Sequence, residues 1–572
     1  MNTQKNQRSF NSSNLSSSPG EGDSPFNPLA PFWKGGFRFI VIGVVVLGIV
    51  FRLGNLAIKP YWEDEVFTSL LVSGYEIEMI ETAVKSNLMP VDGLTKYQEV
   101  HLGRSWKDTS VALAKRPEHT PLYFLLARAW AECFGSSITA MRAFPAVSSL
   151  LTLPLFYWLA RLLFGSSEIA AITLCLACTS PIFIRYAQDT RPYSLWVVGI
   201  LLSSAMLLHS LQNSRRRNWM LYSVSVAFAI LTQWLSSFVF LAHGIYVLVI
   251  KNRFIWARPI MGEPVTEEQV AIERTTLKHF FAALTVGLLP ALPWVGLVVY
   301  RRSSVQTVLG WLEKEETLSG LMVNWLSNVS RLVFAGLPAD NSWLWIVGPF
   351  ALLLVGSTVR IVTKRPIKQW LLPVLLCVIP TVAFVAPDLL FGGTRSLISR
   401  YFLPAYVGAL LILGFGLGAS TLPAKTLAKR PWRPQRMLFY AVLTISLSAS
   451  WFNLNADNWW GEPDFSRQAA SIITQTSSPV EVYSDQRLSP FMAFSLSLRP
   501  TDYVMWLDST EPLPAEMFGN TRTTFLFEPS DSLLIRVKEE AAKRGVKVAL
   551  VQGNSPAEGL SQSLFQIGDN RP

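Results

Sequence analysis

The stretch FRFIVIGVVVLGIVFRLGNLAIKPYWEDE, residues 37–65, runs a long apolar segment directly into three consecutive carboxylates, Glu63, Asp64 and Glu65. The segment is long enough to cross a bilayer as a helix. The carboxylates then fall at the membrane edge, where burying any one of them is costly. Either they cap a helix end in water, or one of them is a base for chemistry. The same apolar texture continues outward from this stretch. Half of the 572 residues are hydrophobic, only 16% are charged, and there are 20 tryptophans. With a mean hydropathy of +0.31, this is the composition of a polytopic membrane protein.

Reading apolar runs of roughly 16–22 residues as helices gives about eleven spans. They are 37–56, 143–162, 168–184, 193–211, 218–234, 235–250, 280–299, 342–360, 370–386, 402–420 and 437–453. The fifth and sixth are divided only at TQWLSS, residues 232–237. Residues 1–36 are rich in Ser, Asn, Pro and Gly and read as a disordered cytoplasmic tail. The first apolar run begins too late, and is too long, for a cleaved signal peptide.

With that tail in the cytoplasm, the basic clusters fall in alternate, inward loops. They are Arg161, Arg215–Arg217, Lys251 to Lys278, Arg360 to Lys368 and Lys425 to Arg436. Orientation, rather than nucleic acid, therefore accounts for the formal charge of +11. The expected location is the cytoplasmic membrane, crossed many times. Loops 57–142, 185–192, 300–341 and 387–401 face outward, as does the segment from 455 to 572. That segment alternates helical FSRQAASIITQTS and SDSLLIRVKEEAAKRG with β-like VEVYSD, DYVMWLD, TTFLFEP and VKVALVQG. It reads as a small extracytoplasmic α/β domain.

Cys133, Cys175, Cys178 and Cys377 lie in or beside apolar runs and read as small buried side chains. No zinc spacing and no phosphate-binding glycine pattern occurs, so no cofactor is expected, and a divalent metal, while compatible with the chemistry, is not indicated.

The outward loops carry the polar chemistry. The first holds Asp64 and Glu65 and ends in HTPLYFLLARAW, residues 119–130, amphipathic enough to lie along the interface. A second reads RYAQDTRPYSLW, residues 185–196, and a third SRYFLPAY, residues 399–406. Carboxylates, a histidine and several arginines thus meet at one membrane face. Moving a group from a lipid-borne phosphate ester to a hydroxyl needs a base for the hydroxyl and cations for the departing phosphate. Asp and Glu supply the first, and Arg supplies the second in bidentate form.

The order of short motifs is more specific. W-x-D-E follows span one, and H-x-P-L-Y-F-L-L, F-G-S-S and R-A-F-P-A lead into span two. R-L-L-F-G follows span two, Y-A-Q-D-T-R-P-Y-S precedes span four, and R-Y-F-L-P stands at span ten. In this order the sequence resembles the GT-C glycosyltransferases of family 39, the protein O-mannosyltransferase and aminoarabinose transferase type, over most of residues 37–420. The resemblance implies a GT-C-type membrane domain over 37–453. It also implies inverting transfer of a sugar from a polyprenyl-phosphate carrier to an acceptor on the outer face. It makes Asp64 the catalytic carboxylate, with Glu65 beside it as an orienting or acceptor-contacting group. It places His119 at the carrier phosphate or the acceptor. Asp189 and Arg191 become a second acidic group and a phosphate contact, and Arg400 with Tyr401 holds the leaving phosphate. The chain departs from the family pattern at Thr120, where relatives carry proline, and in a long insertion between Glu76 and Pro117. Both touch the region expected to meet the acceptor, which could be a protein, a glycolipid or a polysaccharide.

In-line displacement at an anomeric carbon sets base and leaving phosphate on opposite sides, so Asp64 and Arg400 are expected to face each other. Adjacent Asp64 and Glu65 diverge and cannot form the facing pair of a glycosidase. The alternative is a transporter or flippase of a lipid-linked saccharide. Its charges would lie at mid-span, with inverted repeats, whereas here they gather at one face. Because the resemblance ends near residue 420, the C-terminal segment is expected to be dispensable for the chemistry itself but important for acceptor selection.

Overall fold

The computed structural model describes residues 36–568 apart from 101–102, 261–266, 336–343, 419–433, 462–463, 478, 509, 520–521 and 554–561. The N-terminal tail and the basic run Lys425 to Arg433 lie outside the described residues. The described residues of each of the eleven expected spans fall mainly on helix. Seven of these helices are long and apolar enough to cross a membrane, and a bent pair makes an eighth. The helices at Phe37–Leu53 (α1) and Arg216–Thr232 are a little shorter, at 17 residues each. Within the helix Ser236–Ile260, the stretch Ser236–Lys251 is apolar. Helices Arg216–Thr232 and Ser236–Ile260 are separate elements joined by residues 233–235, so the division at TQWLSS is real.

Of the seven unbroken spans, Tyr193–Gln212 and Ser399–Gly418 are the most enclosed, whereas Val270–Tyr300 and Ile367–Phe391 present most of their apolar surface outward. Central helices approach closely through small residues, as membrane packing favours. A Cβ on Gly414 would come within 2.0 Å of the Thr173 hydroxyl, and one on Gly48 within 2.8 Å of the Cys178 Cβ. Cys175 and Cys178 are buried as expected, but Cys133 is exposed. It lies near the end of the surface helix Pro121–Phe134.

The third expected span is not straight. Pro181 has no amide proton to continue the ladder, and Ser167–Thr179 and Pro181–Ala187 meet at 58°. The freed carbonyls are met by other helices. Arg52, the one cation inside α1's C-terminal turn, donates to Ala177 and Cys178 at 2.8 Å each. Ser446 and Ser450 donate to the Thr179 carbonyl at 2.7 and 2.6 Å. This break turns residues 185–191 toward the carboxylates that follow α1.

The segment after α1 is tied to the C-terminal region. Helices Glu63–Ser73 (α2) and Ile77–Val84 (α3) are followed by a two-residue strand, β1 (Met89–Pro90). β1 pairs antiparallel with β3 (Tyr503–Trp506). The sheet is completed by β2 (Glu481–Ser484), β4 (Thr524–Phe527), β5 (Val548–Gly553) and β6 (Ser563–Ile567), in the order β1-β3-β2-β4-β6-β5. Strands β3, β2 and β4 run parallel, and β6 runs antiparallel to both β4 and β5. One apolar cluster joins Val66 and Leu70 of α2, and Ile80 and Val84 of α3, to Phe491, Phe494 and Phe527 beyond residue 455. The loop and the C-terminal segment thus share a core.

Candidate active site

Consecutive residues of a helix point about 100° apart, and the three carboxylates at the start of α2 go three ways. Glu63 pairs with Arg487 of the C-terminal region at 2.8 Å on the solvent side. Glu65 turns inward and is fully buried. Its carboxylate takes Nε and Nη2 of Arg142 at 2.8 and 2.5 Å, and the Thr190 amide at 2.9 Å. Arg142 also donates to the carbonyls of Leu56, Lys59 and Pro60. With the Trp62 amide donating to Oε2 at 3.3 Å, all four lone-pair sites of Glu65 are occupied by the scaffold. It orients α2 and the preceding turn and has no free face for an acceptor, which narrows its expected role to the orienting one.

Asp64 points into a cluster of arginines. Its Oδ2 lies 3.6 Å from Nη2 of Arg400 and 3.9 Å from Nε of Arg191. Burial pushes the carboxyl up, but Arg191 and Arg400 more than offset it and hold it below its ordinary value. The helix N-terminus acts in the same direction. Asp64 is therefore a carboxylate at neutral pH, able to accept a proton.

Arg191 is fixed by its Nη1, which donates to the Asp64 carbonyl at 3.1 Å and to the Thr68 hydroxyl at 3.0 Å. Asp189 takes the Trp62 indole N–H at 2.9 Å. Burial and the nearby Glu65 raise its carboxyl to about 6. The Trp62 ring in turn lies beneath the Arg400 guanidinium, 5.7 Å from Cζ. Tyr401 stacks on Phe384 with ring centres 5.2 Å apart, and Arg400 lies 5.7 Å from its ring. His119 is half-buried, and its backbone carbonyl accepts from the Trp294 indole at 2.9 Å. Burial and Arg191 depress its imidazole to about 3, so it is neutral and offers a hydrogen bond without charge.

The structure thus brings Asp64, His119, Asp189, Arg191, Arg400 and Tyr401 to one place. Glu65 lies immediately behind them. Two more residues belong to the set. Arg185 is close enough to Asp64 and Asp189 to act on both charges, and it lies in the same RYAQDTR stretch. Arg142 lies in R-A-F-P-A, where only its single buried charge marked it out. Among the described residues, Oδ2 of Asp64, Oδ2 of Asp189, Nε of Arg185 and Nε of Arg191 are buried without a hydrogen-bond partner. Native interiors seldom leave such groups unmatched, and their convergence here marks a ligand site. Three guanidinium groups face Asp64 and a partly protonated Asp189, because Glu65 is already neutralised by Arg142. The surplus of one to two positive charges suits a phosphate.

Residues 118–262 match the model of the dolichyl-phosphate-mannose-protein mannosyltransferase family, about a quarter of the chain. Two solved structures of ArnT from Cupriavidus metallidurans are similar throughout, each 14% identical and covering 93% of this chain and 98% of theirs. Their TM-scores are 0.51, bound to undecaprenyl phosphate, and 0.50 in the apo state. The archaeal oligosaccharyltransferase AglB from Archaeoglobus fulgidus is more distant, at 10% identity and a TM-score of 0.41. It covers 81% of this chain and 64% of its own. No curated protein sequence matches significantly. The chain therefore has the GT-C fold, and its resemblance to lipid-carrier-dependent glycosyltransferases is borne out.

Proposed function

We propose that the protein transfers a sugar from a polyprenyl-phosphate carrier to a hydroxyl acceptor, with inversion, and that Asp64 is the base. The observation that carries this reading is Asp64 itself: a carboxylate kept charged among three arginines, its buried Oδ2 without a hydrogen-bond partner among the described residues. In the reaction the acceptor hydroxyl gives its proton to Asp64 as its oxygen bonds the anomeric carbon. The bond from that carbon to the phosphate oxygen breaks, and the electron pair leaves on the polyprenyl phosphate. Arg185, Arg191 and Arg400 take up the growing phosphate charge, which makes a metal-free reaction electrostatically sufficient.

At 3.6 Å, the Asp64–Arg400 pair is too close for a sugar ring to stand between the two groups. The donor must draw Arg400 off Asp64 and onto the phosphate, which couples carrier binding to release of the base. Neutral His119 then serves as a hydrogen-bonding contact to the phosphate or the acceptor. The active face is extracytoplasmic by the distribution of basic loops, in a cytoplasmic membrane. The carrier sugar and membrane lipids are the partners this reading requires.

The test is sugar release from a labelled polyprenyl-phosphate sugar by membranes containing wild type or Asp64→Asn. Asp64→Asn is expected to bind the carrier and to lose at least 10²-fold in transfer, the typical contribution of a positioned base. Normal turnover in Asp64→Asn would overturn the assignment. Movement of the carrier lipid across a vesicle without any sugar transfer would favour a flippase instead.

A further inference from the structure

Next to the carboxylate site, the first outer loop and the helix Arg302–Leu309 enclose a cavity of about 320 Å³. Its floor is apolar, built from Leu70 and Leu71 of α2 and Ala112 of the helix Trp106–Lys115. Its rim is charged, but the charges are not equally engaged. Glu76 pairs with Lys115 and Glu78 with Arg116, each at 2.5 Å. Arg301, also on the rim, makes no side-chain hydrogen bond or ion pair among the described residues. One cation is therefore left over above an apolar floor, a combination that suits an amphiphile with an anionic group.

The cavity and the base share α2. Phe67 and Leu71 line it, one and two turns beyond Asp64 on the same face of α2. The backbone carbonyl of Arg116, a rim residue, accepts from the His119 amide at 3.0 Å. At about 1.5 Å rise per residue, the cavity spans roughly 5–10 Å along the helix from the carboxylate. The insertion after Glu76, one of the two departures from the family pattern, supplies Glu78, Ala112, Lys115 and Arg116 to its lining.

We propose that the cavity anchors the acceptor, and that the acceptor is an amphiphile carrying a phosphate or carboxylate within reach of Arg301. Its reacting hydroxyl lies about 10 Å away at Asp64. This rests on Asp64 being the base: the anchored molecule supplies the hydroxyl, and the lipid-carrier sugar supplies the electrophile. The paired Glu76 and Glu78 exclude a second anion at the rim and give the site its polarity.

The experiment uses the full chain in nanodiscs, saturated with undecaprenyl phosphate so that the donor arginines are occupied, and titrates dodecyl phosphate by calorimetry. Saturable binding is expected, with no competition from dodecyltrimethylammonium or from inorganic phosphate. Arg301→Gln, and Ser304→Trp at the rim, are each expected to weaken it at least tenfold while leaving undecaprenyl phosphate affinity unchanged. Equal binding by wild type and both variants would overturn the proposal, as would competition by the cationic amphiphile. Competition by inorganic phosphate would reduce the site to a simple anion site and would also count against it. The donor reading fails separately, if Arg400→Gln keeps full affinity for undecaprenyl phosphate.

Discussion

Three adjacent carboxylates have three different physical fates, and substitution should separate them. Glu65 and Arg142 are both almost fully buried. Removing one partner leaves the other as an uncompensated charge, which typically costs about 3–5 kcal/mol. Glu65→Gln is therefore expected to lower the melting temperature of the detergent-solubilised protein sharply. The Glu63 pair with Arg487 is largely solvent-exposed, so Glu63→Gln should melt like wild type and transfer within about twofold of it. Such a pattern would place Glu65 in the scaffold, whereas a Glu65→Gln variant of normal stability and no activity would return it to the chemistry.

Asp189 gives the site a pH dependence of its own. Its carboxyl is raised from 3.8 to about 6, so the folded state holds a proton that an unfolded chain has lost. The stability this contributes is present below the ordinary carboxylate range and is lost as pH rises through about 6. Ionisation there also adds a negative charge beside the arginines. Carrier-phosphate affinity is therefore expected to fall as pH rises through this window, and Asp189→Asn should remove the inflection. Asp64, held below its ordinary value, contributes no inflection in that range. An unchanged pH profile in Asp189→Asn would refute this division of labour.

At the scale of elements, the deciding feature is the bend at Pro181. A straight helix through residues 167–187 would keep its carbonyls bonded internally, and residues 185–191 would not turn toward α2. The bend is tolerated because Arg52, Ser446 and Ser450 satisfy the carbonyls it frees. In an apolar medium each unsatisfied backbone group costs several kcal/mol. Arg52→Leu, which keeps the apolar volume and removes the donors, is expected to lower thermal stability and broaden the size-exclusion profile. Retention of a wild-type melting curve would show that another donor meets Ala177 and Cys178. The sequence reading treated 168–184 as one straight span, because hydropathy is blind to where a carbonyl finds its partner.

For the whole molecule, the shared core changes what the C-terminal region is for. The sequence expectation was that residues 455–572 could be removed without harm to the chemistry. In the fold, α2 and α3 pack on Phe491, Phe494 and Phe527, and β1 is an edge strand of the C-terminal sheet. Lys85 adds ion pairs to Asp508 and Glu511 at 2.7 and 3.1 Å. Deleting 455–572 would expose the apolar side of the helix that carries Asp64. Loss of transfer is expected, together with rapid proteolysis within residues 57–100 while the membrane helices stay intact. A truncated protein that transfers sugar at the wild-type rate would restore the earlier view.

The membrane class, the helix positions and most residues of the candidate site were legible in the chain because they depend on local quantities. Apolar runs of bilayer length, basic loops in alternation, and polar motifs between them need no long-range information. Four of the C-terminal strands were legible from β-like runs for the same reason, whereas β1, with only two residues, carried no pattern, and β6 (Ser563–Ile567) went unread. What only the tertiary structure decided is direction and partnership. Neighbouring carboxylates look alike in sequence, yet the helical turn sends Glu65 to Arg142 and Asp64 to Arg191 and Arg400. Those partners lie 77 to 336 residues away, and only folding brings them within 4 Å. Charge state follows from that company, so which carboxylate is buried and matched, and which is left open for chemistry, is a property of the fold.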